Sequence, residues 1–404
     1  MTVDPLSPFG RGVNAPLTGR TVLQIPPPIT GGGDRRATLA VAEALIEAGA
    51  RALVVSEPGE LASEAQAVGA LHVPFPASTG NPLAMILNVR RLARILSDER
   101  VDLVHARSRA SAWVALGACR KLKRALVTTI PGEGPSTRPR TSFESAVADG
   151  DLVVAASSYA AERAGEAFPA ARTRLRIVRP GLDVAKLWPD AVSRSRVAKV
   201  RESWGVAPHE RVVLAPGRLA PGRGQALVVE AAALIAKRGL DDVRFVLAGE
   251  VLKASFGREL DALASARGVK GMVARRGAEA DRPAAFVGAS AVVFPTREAE
   301  GVTRAVIEAS ASGALTIVAD VGAAGEIVAA PPLAPAEQRT GWLVPPGDAA
   351  ALADAIETAL GLGASAREAI RRRSRERAAA HYSLTRMTRD TLGVYAEALQ
   401  KRGG

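Results

Sequence analysis

The sequence predicts an α/β protein with two domains, each built on a parallel sheet wrapped by helices. Short runs of β-branched and aliphatic residues alternate with longer alanine-rich stretches of helical spacing, a pattern typical of parallel strands joined by helices. The alternation occurs in two series, before and after a stretch rich in proline and glycine near residue 183. With 404 residues, 48% of them apolar, the chain can supply a hydrophobic core for each domain.

The first series predicts an N-terminal domain of residues 1–183. Residues 1–20 have no apolar period and no basic-then-apolar signal pattern, so we expect a loose leader and no export signal there. A helix from about Asp34 to Ala48 is expected after the first strand. The predicted strands are Thr21 to Ile25, Ala52 to Ser56, Leu71 to Val73, Leu103 to His105, Ala125 to Thr129 and Leu152 to Ala155.

The second series predicts a C-terminal domain of residues 184–375. Proline and glycine in residues 178–189 interrupt both periods and suit a crossing between domains. Residues 376–404 are expected to form a last helix, capped by Ser383, that returns to the N-terminal domain. The predicted strands are Val212 to Ala215, Arg244 to Ala248, Val273 to Arg275, Ala291 to Phe294, Thr316 to Val318 and Trp342 to Val344.

The composition indicates a cytoplasmic protein that attracts anions. No apolar run approaches the roughly 18 residues needed to cross a bilayer, and the single cysteine, Cys119, cannot form an internal disulfide. The formal net charge of +12 favours nucleotides, nucleic acid or the acidic inner face of a membrane as partners. Nucleic acid is disfavoured, because aromatic residues make up only 4% of the chain and no stacking motif accompanies the basic residues.

A strand-to-helix turn in the C-terminal domain has the residues of a diphosphate site. The strand ending at Ala215 runs into Gly217-Arg218-Leu219, and Arg223-Gly224 then precedes an apolar helix. A diphosphate needs cationic donors and backbone N–H groups around it, and this turn supplies two arginines and a helix N-terminus. A plain turn with solvent-facing arginines is the alternative.

Two glutamates follow another strand of the same domain. Glu300 comes after the strand that ends at Phe294, so it is expected at the carboxyl rim of the sheet, where such folds bind ligands. A helix over residues 302–311 would place Glu308 two turns further on, with the N–H groups of Thr303 and Arg304 directed at the rim. Two carboxylates could then bind hydroxyl groups of one ligand; a chance pair on an exposed helix is the alternative.

The N-terminal domain has a glycine loop and one histidine at a strand end. Gly31, Gly32 and Gly33 follow the first strand, where the missing side chains let backbone approach a ligand; a flexible turn is the alternative. The spacing matches neither a dinucleotide fingerprint nor a Walker loop. His105 is either a packed rim residue or a ligand contact. None of the four histidines is spaced as a metal ligand, so no metal site is expected.

Together these elements resemble glycosyltransferase family 4, retaining enzymes of GT-B architecture, particularly the bacterial members of envelope and polysaccharide assembly. The resemblance runs from Thr21 to about Leu399. It implies two Rossmann-like domains that face each other across a cleft, with the C-terminal helix crossing back to the N-terminal domain. The motifs that carry it are Gly217-Arg218-Leu219 with Arg223-Gly224, the Glu300 to Glu308 E-x7-E element, Ser312-Gly313-Ala314, Gly325-Glu326-Ile327-Val328, Thr340 to Asp348, the glycine loop, Asn81-Pro82, and Asp102 to Arg109.

The resemblance implies roles for the donor-side residues. Arg218 matches the arginine that binds the donor diphosphate, and Arg223 stands where the family usually has lysine. Glu300 matches the acid that contacts the transferred sugar, and Glu308 the acid that holds the ribose hydroxyls. With Arg218 and Arg223, Glu300 is expected in catalysis. The remaining donor-binding residues expected are Gly32, Gly33, Thr303 and Arg304.

The acceptor side departs from the family pattern. His105, Arg107 and Gly132 are the residues expected there, but Ile130-Pro131-Gly132 stands where the family usually has a histidine-glycine pair. Val302-Thr303 likewise replaces the usual phenylalanine-glycine, and Asp34-Arg35-Arg36 replaces a glutamate-arginine pair. The acceptor therefore differs from the usual one, or catalysis is weakened.

The resemblance implies a metal-independent, cofactor-free hexosyltransferase that retains the anomeric configuration. It would move a hexose-type sugar from a UDP or GDP donor to a lipid-linked or polysaccharide acceptor in lipopolysaccharide or polysaccharide biosynthesis, in the cytoplasm, with peripheral contact to the anionic inner face of the membrane. A weak or inactive homologue that binds nucleotide or a partner is one alternative. A nucleotide-sugar epimerase or phosphorylase of similar architecture is the other.

Overall fold

The computed structural model of the chain describes residues 17–27, 32–76, 81–130, 141–299 and 303–403. The chain divides into two compact units. Unit 1 comprises Met1–Leu182 together with Ser383–Gly404, and unit 2 comprises Asp183–Tyr382. In each unit the described strands form one parallel sheet, which confirms the predicted fold class.

The unit 1 sheet has seven strands among the described residues, in the order β3-β2-β1-β4-β5-β6-β7. The strands are β1 (Thr21–Ile25), β2 (Arg51–Ser56), β3 (Leu71–Pro74), β4 (Leu103–Ala106), β5 (Ala125–Thr129), β6 (Leu152–Ala155) and β7 (Leu175–Ile177). The helices between them are α1 (Gly32–Glu47), α2 (Glu60–Ala67), α3 (Pro82–Asp98), α4 (Arg109–Leu122), α5 (Ser142–Ser145) and α6 (Ser158–Ala167).

Alternation along β1 divides the apolar core of unit 1 between the two faces of the sheet. Val22 packs into a cluster with α1, whereas Leu23 and Ile25 pack into a cluster with α3 and α4. All three are fully buried, so the side chains of β1 point alternately to two covered faces.

The unit 2 sheet has six strands in the described part of the chain, in the order β10-β9-β8-β11-β12-β13. They are β8 (Arg211–Pro216), β9 (Val243–Ala248), β10 (Val273–Arg276), β11 (Ala291–Phe294), β12 (Thr316–Ala319) and β13 (Gly341–Val344). The helices are α7 (Arg194–Trp204), α8 (Gln225–Lys237), α9 (Ala254–Ala266), α10 (Arg282–Gly288), α11 (Arg304–Ala311), α12 (Ala324–Ile327), α13 (Ala349–Leu360) and α14 (Ala364–Tyr382).

The last helix, α15 (Leu384–Gly403), packs on unit 1. Ser383 caps it by accepting a hydrogen bond from the Arg386 N–H at 3.3 Å. Tyr395 is fully buried against α1, and its hydroxyl lies 2.7 Å from Nδ1 of His105. Near the end of the helix, Arg402 forms an ion pair with Asp151 at 3.1 Å.

Four details differ from the sequence prediction. Strand β7 was not predicted, because Leu175–Ile177 is a short, half-exposed edge strand with an arginine at its centre. Helix α1 begins at Gly32 instead of Asp34. Leu17 is fully buried, so the predicted loose leader is wrong for the residues from Leu17 onward. Unit 2 extends seven residues beyond the predicted residue 375, because α14 continues to Tyr382.

The Tyr395 hydroxyl is expected to stabilise unit 1. Tyr395→Phe leaves a buried nitrogen of His105 without its partner and should lower the free energy of unfolding of unit 1 by about 1–2 kcal/mol. Cys119, the single cysteine, is buried in unit 1, so its rate of thiol labelling in urea reports the opening of this unit. Tyr382→Phe removes a hydroxyl from a buried tyrosine of unit 2 and is the control. Equal labelling of the parent and Tyr395→Phe would contradict the assigned contribution.

Candidate functional site

A pocket of about 150 Å³ lies at the carboxyl edge of the unit 2 sheet. It is lined by the ends of β8, β11 and β12 and by residues at the starts of α8 and α11. Strands β9 and β10 lie on one side of β8, and β11 to β13 on the other, so the direction of strand addition reverses between β8 and β11. Open parallel sheets bind ligands at this kind of reversal. Its polar lining residues are Arg218, Arg223, Gln225, Thr296 and Thr303.

Hydrogen bonds on both sides hold Arg218 in place after β8. The Gly217 N–H donates to the Ala248 carbonyl at 2.9 Å, and the Leu219 N–H donates to the Glu250 carbonyl at 2.8 Å. The side chain between them is exposed and forms no ion pair with any residue that the structure describes. A fixed backbone with an unneutralised guanidinium is suited to binding an anion.

Gly224 allows the loop before α8 to close against the end of β11. Its φ of +83° lies in the left-handed region, and a Cβ placed there would come 1.9 Å from the carbonyl oxygen of Pro295. The Arg297 N–H also donates to the Gly222 carbonyl at 2.9 Å, which joins the two loops. This contact brings Arg223 and the N-terminus of α8 to the pocket.

Gln225, which sequence reasoning did not assign to the site, is the first residue of α8 and lines the pocket. It is only 5% exposed, and its Nε2 donates to the carbonyl of Arg218 at 3.1 Å. Its Oε1 is buried and has no hydrogen-bond partner among the residues that the structure describes. A buried acceptor without a hydrogen bond lowers the stability of the folded protein unless a ligand or water donates to it. The available signal was a polar residue at the start of a mostly apolar helix.

The predicted E-x7-E element is only partly within the described residues. Glu300 lies outside them, and Thr303 is the N-cap of α11 and lines the pocket. Arg304 and Glu308 lie on α11 but do not line the pocket. Glu308 is 7% exposed.

Two arginines hold the carboxylate of Glu308. Arg304 donates from Nε to Oε1 at 2.7 Å, and Arg282 at the start of α10 lies 2.7 Å from Oε2. Arg282 was not predicted, because it lies far from the motif in sequence. Each carboxylate oxygen can accept a second hydrogen bond, so this pairing leaves acceptor capacity for a ligand hydroxyl.

The glycine residues expected to face a phosphate belong to unit 1. Gly32 and Gly33 form the first turn of α1, so the predicted loop before the helix is wrong at these two positions. Glycine costs little at a helix end, where the backbone is not enclosed by further turns. Gly31, Pro131 and Gly132 lie outside the described residues.

A second pocket, of about 120 Å³, lies in unit 1 and contains the other two residues expected on the acceptor side, His105 and Arg107. Arg107 donates from Nη1 to Oγ1 of Thr38 on α1 at 3.0 Å. Arg179 also lines the pocket, as does Gln24, whose buried Oε1 has no hydrogen-bond partner in the described part of the chain. Two guanidinium groups beside an unsatisfied amide oxygen suit an anionic ligand with a hydroxyl group.

His105 serves the packing of α15 and is not positioned for acid–base chemistry. Its Nδ1 lies 2.7 Å from the Tyr395 hydroxyl and its Nε2 lies 2.8 Å from Oγ1 of Thr129, so both ring nitrogens are occupied. Burial, with the charge of Arg107 as a smaller cause, lowers the pKa of His105 to about 3. The ring is therefore neutral at physiological pH.

Neither the single cysteine nor a cluster of potential metal ligands adds a reactive site among the described residues. Burial raises the pKa of the Cys119 thiol to about 12, which makes it a poor nucleophile. The described residues contain no group of three or more histidine, cysteine, aspartate or glutamate side chains that could hold a metal.

Two protein-family sequence models match successive parts of the chain. The model described as Glycosyltransferase Family 4 matches residues 31–186. All but the last four of these residues belong to unit 1. The model described as Glycosyl transferases group 1 matches residues 210–361, within unit 2. The second match contains both arginines of the unit 2 pocket.

Individual proteins give the same picture. A D-inositol 3-phosphate glycosyltransferase of Jonesia denitrificans is 30% identical over 272 residues, which cover 66% of this chain and 61% of that protein; the chain thus matches about three fifths of the length of this relative. A glycosyltransferase crystal structure from Rickettsia africae superposes with a TM-score of 0.81 at 25% identity, covering 95% of this chain and 99% of the other. Anabaena HepE, crystallised with UDP, superposes with a TM-score of 0.73 at 22% identity, covering 95% of this chain and all of that one.

The buried neutral histidine predicts a loss of stability in acid. An unfolded histidine gains a proton near pH 6.5, whereas His105 in the folded chain stays neutral until about pH 3. The unfolded state therefore binds the extra proton, and stability should fall by up to about 1.4 kcal/mol per pH unit as pH decreases between these values. Urea titrations of His105→Gln should lack this component. The exposed His209→Gln is the control and should retain it; an identical pH profile for all three proteins would contradict the prediction.

Proposed function

The chain belongs to the glycosyltransferases, with a Family 4 domain followed by a group 1 domain, and we propose that it transfers a hexose-type sugar from a nucleotide diphosphate donor with retention of anomeric configuration. The acceptor in this proposal is an envelope lipid or polysaccharide. The nucleotide sugar is a substrate, and the reaction uses no metal ion or other cofactor.

The observation that carries the proposal is the pair of arginines at the β8/β11 strand reversal. Arg218 and Arg223 line the pocket between the starts of α8 and α11. The first N–H groups of a helix have no intrahelical partner, so both helices present partial positive charge to a bound phosphate. UDP in HepE, a protein of the same fold, agrees with a nucleotide donor. UDP and GDP both remain candidate donors.

The proposed chemistry places the positive charge where negative charge develops. As the bond between sugar and diphosphate breaks, Arg218, Arg223 and the helix N-termini stabilise the leaving diphosphate. Glu300 contacts the sugar, and Glu308, oriented by Arg282 and Arg304, holds the ribose hydroxyls. The acceptor hydroxyl attacks the sugar on the same face from which the diphosphate leaves. The leaving phosphate takes the proton of that hydroxyl. No protein nucleophile is needed.

The unit 1 pocket is proposed to bind the acceptor. Arg107 and Arg179 line it beside the unsatisfied oxygen of Gln24, which favours an acceptor that carries both an anionic group and a hydroxyl. The name of the Jonesia denitrificans relative contains D-inositol 3-phosphate, a compound with both a phosphate and hydroxyl groups. We propose a role in lipopolysaccharide or polysaccharide assembly in the cytoplasm, with peripheral membrane contact. None of the helices in the described residues is long and apolar enough to span a bilayer.

A homologue that binds nucleotide without transferring sugar is the second candidate. Pro131, in place of the usual histidine, favours it, because proline supplies neither a proton nor an aromatic ring to the acceptor side. A panel of radiolabelled UDP- and GDP-sugars with membrane extracts separates the two. Transfer of label into lipid or polysaccharide, with the anomeric configuration of the product determined by NMR, supports the enzyme. Nucleotide-dependent thermal stabilisation without transfer or hydrolysis supports the binding protein, and isomerised free donor would indicate an epimerase.

Arg218→Ala is expected to weaken binding of a nucleoside diphosphate by about 2–3 kcal/mol, because a charge-assisted hydrogen bond to phosphate is lost. Binding of the corresponding nucleoside should change little. Isothermal titration of both ligands measures the difference. Arg258→Ala removes an exposed arginine of α9 and serves as the control. Equal diphosphate affinity in parent and Arg218→Ala would exclude the proposed contact.

Gln225→Met is expected to lower donor affinity about tenfold while changing the free energy of unfolding by less than about 1 kcal/mol. The substitution removes a hydrogen bond to the Arg218 carbonyl, but it also removes the buried unsatisfied oxygen, and these effects oppose each other in the empty protein. Gln338→Met, at an exposed position of unit 2, is the matched control. Unchanged donor affinity in Gln225→Met would show that neither amide atom contributes to the donor site.

A further inference from the structure

Helix α3 carries an apolar stripe on its exposed face. Leu83 is 74% exposed, Ile86 is 49% exposed and Leu87 is 62% exposed. They are three of the eight large apolar side chains that are exposed among the described residues, and they lie within the first two turns of one helix. Asn81 fixes this end of the helix by accepting hydrogen bonds from the N–H groups of Leu83 and Ala84.

The core of unit 1 does not account for this stripe. The opposite face of α3 supplies Met85, Leu92 and Leu96, which are buried in the cluster with α4. The first turns of α3 are thus apolar on two faces, and only one of them is covered. An amphipathic helix that needs only one apolar face for its own fold normally has polar residues on the other.

Three arginines continue the same exposed face. Arg90, Arg91 and Arg94 are exposed, and at 100° per residue Arg90 and Arg94 lie on the line of Leu83 and Leu87. None of the three takes part in an ion pair with another described residue, although many arginines of the chain do. The stripe runs from Leu83 to Arg94 over about 16 Å, apolar at one end and cationic at the other.

We propose that this face of α3, defined by Leu83, Ile86, Leu87, Arg90, Arg91 and Arg94, docks on an anionic lipid bilayer. The aliphatic side chains enter the boundary between headgroups and acyl chains, and the guanidinium groups bind lipid phosphates. The inference deepens the proposed peripheral membrane contact and rests on that part of the proposed function. It does not depend on sugar transfer.

Charge complementarity selects the bilayer over a second copy of the chain. A twofold contact through this face would bring two sets of arginines towards each other, and the only carboxylate on this face of α3, Asp98, lies one turn beyond Arg94. An anionic surface instead offers many phosphates that can move to meet the arginines. The net charge of +12 adds a general attraction in the same direction.

The test measures co-sedimentation of the full chain with phosphatidylcholine vesicles that contain or lack phosphatidylglycerol. The parent should bind the anionic vesicles and lose binding as salt increases. For the double variant with Leu83→Gln and Leu87→Gln, we expect the affinity for these vesicles to fall at least about tenfold. The double variant with Arg90→Gln and Arg94→Gln should lose about fivefold for each arginine and much of the salt dependence.

The matched control joins Leu333→Gln with Arg258→Gln, which removes an exposed leucine and an exposed arginine from unit 2 and should bind like the parent. Circular dichroism melting shows whether each variant folds. Parent-like vesicle binding by the leucine variant overturns the proposal, as does a parent that binds no vesicles. A parent dimer that the leucine substitutions convert to monomer also overturns it in favour of a second copy.

The experiments distinguish a failure of the docking proposal from a failure of the proposed enzymatic function. Leucine and arginine variants that lose vesicle binding but still bind nucleoside diphosphate with parental affinity support the docking surface. Vesicle binding by a parent that shows no transfer with any donor also supports it, while the proposed enzymatic function fails. If the parent transfers sugar to a water-soluble acceptor but does not bind vesicles, only the docking surface is overturned.

Discussion

The close contact between the loop before α8 and the end of β11 is the constraint on which the candidate donor site depends. No side chain fits at Gly224, because the carbonyl of Pro295 occupies the space. A similar restriction holds at Gly249, where a Cβ would come 1.8 Å from the carbonyl of Gly217. These two contacts fix the backbone on either side of Arg218. The backbone position of Arg218 therefore follows mainly from main-chain packing. The side chain of Gln225 adds one hydrogen bond to its carbonyl.

Much of the fold could be predicted from the sequence because the central strands are buried on both sides. Such strands consist mostly of aliphatic residues, and their predicted ends were correct to within one residue. Strand β7 lacks this signal, since Leu-Arg-Ile at a half-exposed sheet edge resembles a loop. Arg218, Arg223 and Thr303 were predicted from local motifs and share one pocket. Arg282 and Tyr395 were missed because they meet Glu308 and His105 only through the tertiary fold.

Arginine serves two different purposes in this chain. Many arginines neutralise carboxylates, as in the pairs Arg211 with Asp242 and Arg275 with Asp261, where the hydrogen-bonded guanidinium lowers the pKa of the aspartate. Others, including Arg218 and the three on α3, have no ion-pair partner among the described residues. The paired set contributes little to the external field of the protein. The unpaired set is therefore a better guide to anion-binding surfaces than the net charge of the whole chain.

Unit 1 is discontinuous, because α15 joins it only after all of unit 2 has been added to the chain. During synthesis, the apolar surface of α1 that Tyr395 and Leu392 will cover stays without that cover while about two hundred intervening residues emerge and fold. Unit 2 has no comparable delay, since its segment is continuous. The order of assembly on the ribosome is thus the reverse of the order in the sequence: the second unit can complete its core first, and the first unit is finished last.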